Sequence, residues 1–159
     1  KDFNISHCGM FAMDTMRMEK GYLHWGHDMS PEENQYEAGL NFTISFKKDV
    51  NFIGKSALKI IKDQKLKKKL VTLSLKDSKP GFPLLLHDEP IYCEKKIIGR
   101  TTSGNYSFNY KKNLAFGYID NKLPKTELAG KNFYIEIEKT KYQAEMLSKP
   151  LKVSNFKNI

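Results

Sequence analysis

The sequence predicts an α+β chain: a short αβ segment, then a helix, then a small antiparallel β-barrel. Three observations predict it. Met10, Met13 and Met16 recur at helical spacing near the start. A second amphipathic stretch over 54–65 sets apolar residues against lysines. From Leu70 onward the chain holds only short runs of two-residue alternation separated by turns, the pattern of a small barrel or sandwich.

The elements follow in order. Residues 9–18 read as a helix whose stripe of Met10, Met13 and Met16, widened by Phe11 and Met18, is expected to be core. Gly21 stands where a helix C-cap glycine belongs. Residues 22–28 read as a turn or loop. Ser30, Pro31, Glu32 and Glu33 carry the signal of a short helix: a capping hydroxyl, proline at the first position, acids in the first turn. Phe42, Ile44 and Phe46 alternate with Thr43 and Ser45, as in a half-buried strand.

In 54–65 the expected buried face is Ile53, Ala57, Ile60 and Ile61. Then Val71, Leu73 and Leu75 alternate, and 80–83 is a turn. Strands over 90–94 and 97–102 join at Lys95 and Lys96, and Gly104 with Asn105 is expected to break the second. Leu114, Phe116 and Tyr118 alternate. Phe133, Ile135 and Ile137 pair with Tyr142, Ala144 and Met146 as a hairpin about Lys139 and Thr140. The boundary falls near Asp49.

Composition narrows the function. No apolar run approaches a membrane span. The net charge is +9, yet the cations are 25 Lys against 2 Arg, spread along the chain. A nucleic-acid reader would favour clustered charge and arginine forks, so the lysines read as solvated faces, with some pull on anions. Cys8 and Cys93 lie far apart and fit free thiols in a reducing compartment, here the cytoplasm. No glycine-rich nucleotide fingerprint is present, so neither flavin nor NAD is expected on this chain. The chain begins at Lys1 rather than Met, which suggests a piece of a longer polypeptide.

The densest chemistry lies in 16–40. This stretch holds the only Trp, one of the two Arg and two of the four His. Mixed segments of this kind line pockets. His24, His27 and Asp28 have metal-ligating atoms, but Gly26 and Trp25 argue for a shaped turn, and no metal is expected. Arg17 and Glu19, two apart on a helix, do not face each other, so each needs another partner. For Arg17 that partner is either a neighbouring carboxylate or carbonyl, or a bound ligand. Tyr22 and Trp25 either stack on a flat ligand or fill core. Thr101, Thr102 and Ser103 either line a cavity with hydroxyls or mark a strand bulge, and the bulge is favoured.

Four motifs together carry a resemblance. They are Arg17-Met18-Glu19-Lys20-Gly21-Tyr22 with His24-Trp25-Gly26-His27-Asp28 and Glu37-Ala38-Gly39-Leu40; Asn51-Phe52-Ile53-Gly54-Lys55-Ser56-Ala57-Leu58; Gly99-Arg100-Thr101-Thr102-Ser103-Gly104; and Asn113-Leu114-Ala115-Phe116-Gly117-Tyr118. In this order, over 9–150, the chain resembles the folate-binding aminomethyltransferase family, which includes the glycine-cleavage T-protein. It looks most like the folate domain of dimethylglycine and sarcosine dehydrogenases.

The resemblance implies that 1–49 is the end of a folate-binding αβ domain and 50–159 a C-terminal β-barrel domain with an N-terminal helix. It implies a tetrahydrofolate-dependent one-carbon transferase acting on a methylated amine or aminomethyl donor. Arg17, Tyr22 and Trp25 would bind folate, sharing it with the remaining domains of the parent chain. The family's assisting carboxylate lies in an earlier domain, so no catalytic residue is expected here and the chain alone should be inactive. Neither nucleic acid nor membrane is an expected partner. The other class of reading is a non-catalytic β-barrel binding or interaction module.

Overall fold

The structure, a computed structural model, describes Phe3, 5–122, Leu128 and 130–147. The far end of the resemblance, at 148–150, lies outside these residues. Helix α1 is Met10–Lys20 and α2 is Lys55–Lys62. Six strands follow: β1 Lys68–Leu75, β2 Pro90–Cys93, β3 Lys96–Ser107, β4 Lys112–Asp120, β5 Phe133–Ile137 and β6 Thr140–Leu147. They close antiparallel into a barrel in the order β1-β4-β3-β2-β5-β6. Closure leaves no open sheet edge among the described strands. The α+β fold with a C-terminal barrel is therefore present as predicted.

Alternation did the work in β1, β5 and β6. Leu73, Leu75, Phe133, Ile135, Ile137 and Ala144 are buried in the barrel core with Ile91, Ala115 and Ile119, and Tyr142 and Met146 pack against them. The hairpin pairs Phe133 with Ala144 and Ile135 with Tyr142. Its turn falls at Glu138 and Lys139, both with positive φ, one residue earlier than expected.

Strand β4 is buried on both faces. Ala115 and Ile119 point into the barrel. Leu114 and Phe116 point outward and form a second cluster with Met18 of α1, flanked by Leu23, Leu70 and Tyr110. The alternation of Leu114, Phe116 and Tyr118 thus marks the outer face of the wall.

Several expectations give way. The methionine stripe is exposed: α1 seats Met18, Glu19 and Thr15 on the barrel and turns Met10, Phe11, Met13 and Met16 away from it. The buried face is partly polar because its polar groups are paired: Thr15 Oγ1 donates to the Tyr106 carbonyl at 3.2 Å, and Ser107 Oγ donates to Glu19 at 2.5 Å. The C-cap is as predicted. Gly21 is left-handed at φ 75°, its N–H bonds the Met18 carbonyl, and the Tyr22 N–H bonds that of Arg17.

No helix starts at Ser30. Its N–H and Oγ reach Glu33 Oε2 at 2.8 and 2.7 Å, and its carbonyl accepts from the Glu33 N–H at 3.3 Å, which makes a single capped turn. Asn34 Oδ1 then accepts from the N–H groups of Tyr36 and Glu37, which begins a new turn and ends the first. The strand expected at 42–46 is instead a 3-10 turn, Asn41–Thr43, followed by irregular chain. Alternation asks for a partner strand, and none of the described strands pairs there. In α2 the buried residue is Leu58, with Ile61 half-buried, while Ile53, Ala57 and Ile60 are exposed. The helix is held at Leu58, whose carbonyl accepts from Tyr36 Oη at 3.2 Å.

Strand β3 does not break at Gly104 and Asn105 but runs on to Ser107. A register shift between Thr101 and Ser103 is its bulge. The glycine is there for space, because a Cβ on Gly104 would stand 2.4 Å from Leu85 Cγ.

Candidate functional site

The polar residues of α1 and of the loop after it converge on the outer wall of the barrel. Arg17, on the last turn of α1, spreads its guanidinium across three side chains and one carbonyl. Nε donates to Asp14 Oδ1 at 2.7 Å, a first NH₂ to Asp28 Oδ2 at 2.7 Å, and the second NH₂ to Ser103 Oγ of β3 at 2.8 Å. The Tyr22 carbonyl lies 3.3 Å from the same nitrogen that serves Asp28. The fork is thus turned inward.

Asp28 is 0% exposed. A buried carboxylate is costly unless its oxygens are fully bonded. Here Oδ2 also accepts from the His24 N–H at 2.9 Å, and Oδ1 accepts from Thr102 Oγ1 of β3 at 2.6 Å. The Asp28 carbonyl accepts from Tyr118 Oη of β4 at 2.9 Å. Burial, with Glu33, Asp28 and Glu37 nearby, pushes the Tyr118 phenol well above its ordinary range, so it stays a donor.

The loop is closed by its own backbone as well. Gly26 donates to the Met29 carbonyl at 2.8 Å and Asp28 to that of His24 at 2.8 Å. With its backbone held, the loop leaves Tyr22 67% and Trp25 63% exposed. Tyr22, Lys20, Leu23, Met29, Phe42 and Phe116 border a mostly apolar hollow of about 610 Å³.

Glu19 anchors the other side of the helix. Burial disfavours its charge, but hydrogen bonds from Ser107 Oγ, Asn109 Nδ2 and the Asn109 N–H outweigh that and hold its carboxyl below the ordinary value. A depressed folded pKa gives stability that is present above the unfolded value and lost as pH falls through the folded one. Glu19→Gln should therefore cost about 1.5–3 kcal/mol at neutral pH. Urea melts repeated below about pH 4, the ordinary glutamate range, should show the gap between variant and wild type closing.

The sequence-predicted residues fall on one helix end and one loop, but they face differently: Tyr22 and Trp25 outward, Arg17 inward. As expected, Arg17 and Glu19 take separate partners. Arg100 only pairs with Asp88 at the surface, where both side chains are more than half exposed and such pairs contribute little. The His24 and His27 rings lie tilted at 34° with centroids 4.6 Å apart, and His87 lies 6.1 Å beyond His27. Among the described residues no group of three or more His, Cys, Asp or Glu is arranged to hold a metal ion.

Sequence reasoning missed Asp28 as the hub and Tyr118 as its partner. Thr102 and Ser103 sit at a bulge, the favoured reading, although the strand runs on past it, and their hydroxyls bond Asp28 and Arg17. The available signal was the rarity of arginine in a lysine-rich chain, which implied a fixed fork and hence a nearby carboxylate.

Comparison with known proteins gives the following. Residues 68–152 match the glycine cleavage T-protein C-terminal barrel domain and residues 1–48 the GCVT N-terminal domain. Human mitochondrial dimethylglycine dehydrogenase is 37% identical over 92% of this chain, and the match covers 16% of its own length. The aminomethyltransferase of Alkaliphilus metalliredigens is 36% identical over 94% of this chain and 38% of its own length. The crystal structure of glycine cleavage system aminomethyltransferase T from Bartonella henselae aligns with a TM-score of 0.72 at 21% identity, over 89% of this chain and 38% of that one. The chain thus spans about a sixth of the dehydrogenase and under two-fifths of the aminomethyltransferase.

Proposed function

Because the chain belongs to the glycine cleavage T-protein family, we propose that it forms the C-terminal portion of a tetrahydrofolate-dependent one-carbon transferase whose donor is a methylated amine or an aminomethyl group. The observation that carries this reading is the aromatic pair, Tyr22 and Trp25, offered to solvent from a loop whose backbone is locked. Exposed rings on fixed backbone suit the flat pterin and p-aminobenzoyl groups. Lys20 at the rim suits the carboxylates of the folate tail. Bound folate would supply the nitrogen that accepts the one-carbon unit. This chain's residues would wall it, orient it and keep water off it.

In this reading Tyr22 and Trp25 touch the ligand, and Arg17 belongs to the site through the loop it holds and its bond to the Tyr22 carbonyl. Residues 1–49 would complete a folate-binding domain with upstream sequence, and 50–159 would be the barrel domain. Two free cysteines support a reducing compartment, for which we propose the cytoplasm. No helix among the described residues is long and apolar enough to cross a membrane.

Calorimetry tests the reading. In the full-length parent, Trp25→Ala should weaken tetrahydrofolate binding about tenfold, the worth of one stacked ring. Unchanged affinity would remove Trp25 from the wall. The 159-residue chain by itself should bind weakly or not at all, and micromolar binding would overturn a cavity shared among domains.

A further inference from the structure

Within the folate reading above, we propose that Asp28 is a positioning residue through which the barrel sets the place of the ligand-facing rings. Beside the apolar contact of Leu23 with the wall, Asp28 ties the aromatic loop to the barrel by hydrogen bonds. On the loop side it takes the His24 N–H at 2.9 Å, and on the helix side the Arg17 guanidinium at 2.7 Å. On the barrel side it takes Thr102 Oγ1 at 2.6 Å, while its own carbonyl takes Tyr118 Oη at 2.9 Å. The loop therefore has two ties to the wall within a single residue, one to β3 and one to β4.

The bulge in β3 supplies the geometry. Successive side chains of a regular strand point to opposite faces. The register shift between Thr101 and Ser103 suspends that rule. Two neighbouring hydroxyls can then serve one site: Thr102 bonds Asp28, and Ser103 bonds the arginine paired to it. Thr101, 0% exposed, turns away to bond Glu89. A bulge that aims two donors at one ion pair is a device for fixing a position. What it fixes is the segment between Tyr22 and Met29, since Trp25 and Met29 are themselves bridged within the loop.

Thr102→Val in the full-length parent tests this, because it removes the donor and keeps the shape. Two quantities are read: tetrahydrofolate affinity, and the fluorine resonance of Trp25 in protein grown with 5-fluorotryptophan, assigned by comparison with Trp25→Phe. The expected result is a shifted or broadened Trp25 resonance in the ligand-free protein and about tenfold weaker binding, the equivalent of one lost hydrogen bond. Thr102→Ser should restore both. A lowered melting temperature with the wild-type resonance and wild-type affinity overturns the proposal and leaves Asp28 a purely structural anchor. Should Thr102→Val not fold, Tyr118→Phe, which removes only the bond to the Asp28 carbonyl, is read in the same two ways. A wild-type parent that binds no tetrahydrofolate sinks the folate reading, and the ligand-free resonance still decides whether the carboxylate sets the loop.

Discussion

Arg17→Ala is expected to lower the stability of the folded chain by about 3–5 kcal/mol, the usual cost of stripping a buried ion of its partner. Domains of this size are stable by only about 5–15 kcal/mol, so much of the fold is at stake. The cost comes from what is left behind. Asp28 would remain without solvent contact, its charge met only by the His24 N–H and the Thr102 hydroxyl. Asp14 is partly exposed and can turn to water instead.

Two further variants separate the causes. Arg17→Lys keeps the charge but cannot reach Asp14, Asp28 and Ser103 at once, so it should lie between alanine and wild type. Asp28→Asn placed on Arg17→Ala removes the orphaned charge and should recover part of the loss, a coupling that a double-mutant cycle in urea measures directly. Strict additivity of the two would mean that the pair contributes nothing as a pair. Arg17→Lys with wild-type stability but weakened folate binding in the parent would instead make the guanidinium a ligand contact.

Ile135→Ala is expected to cost about 2–5 kcal/mol through the cavity it opens. Ile135 is fully buried at the middle of β5, opposite Ile91 on one side and Tyr142 on the other. Close strand pairing on both sides leaves little room for the wall to collapse inward. Ile60→Ala is the control. That side chain is exposed on α2, and its removal should change the urea midpoint hardly at all. A loss well under about 1 kcal/mol for Ile135→Ala would mean that the register of the hairpin is other than described.

These two positions also mark what could be read in advance. Ile135 was legible because a strand with one buried face writes a period of two into the sequence. The same holds for Leu73 and Leu75, and the helix stop at Gly21 was legible from its cap chemistry. The methionines of α1 misled for a physical reason: periodicity shows which face of a helix is apolar, not whether anything in this chain covers it. Phe42, Ile44 and Phe46 misled in the same way, since alternation cannot make a strand without a partner.

At the site, Arg17 could be singled out by rarity, and Tyr22 and Trp25 by the crowding of aromatic and glycine residues. Their supports could not. Thr102, Ser103 and Tyr118 stand 74, 86 and 90 residues from the groups they bond, and no local pattern spans such distances. Only closure of the barrel brings them to the loop.

The two-sided burial of β4 has a meaning for how such a chain changes over generations. Phe116 answers to Met18 of the helix, while its neighbour Ala115 answers to the barrel interior. A single strand is thus read by two cores, and a residue accepted by one must not trouble the other. Drift in α1 and drift in β4 are tied together, so recombination that exchanges the barrel without its helix would pair surfaces that never adapted to each other. Joined to a foreign leading segment, the wall would show Leu114 and Phe116 to water. The helix and the outer face of β4 thus form one packing unit.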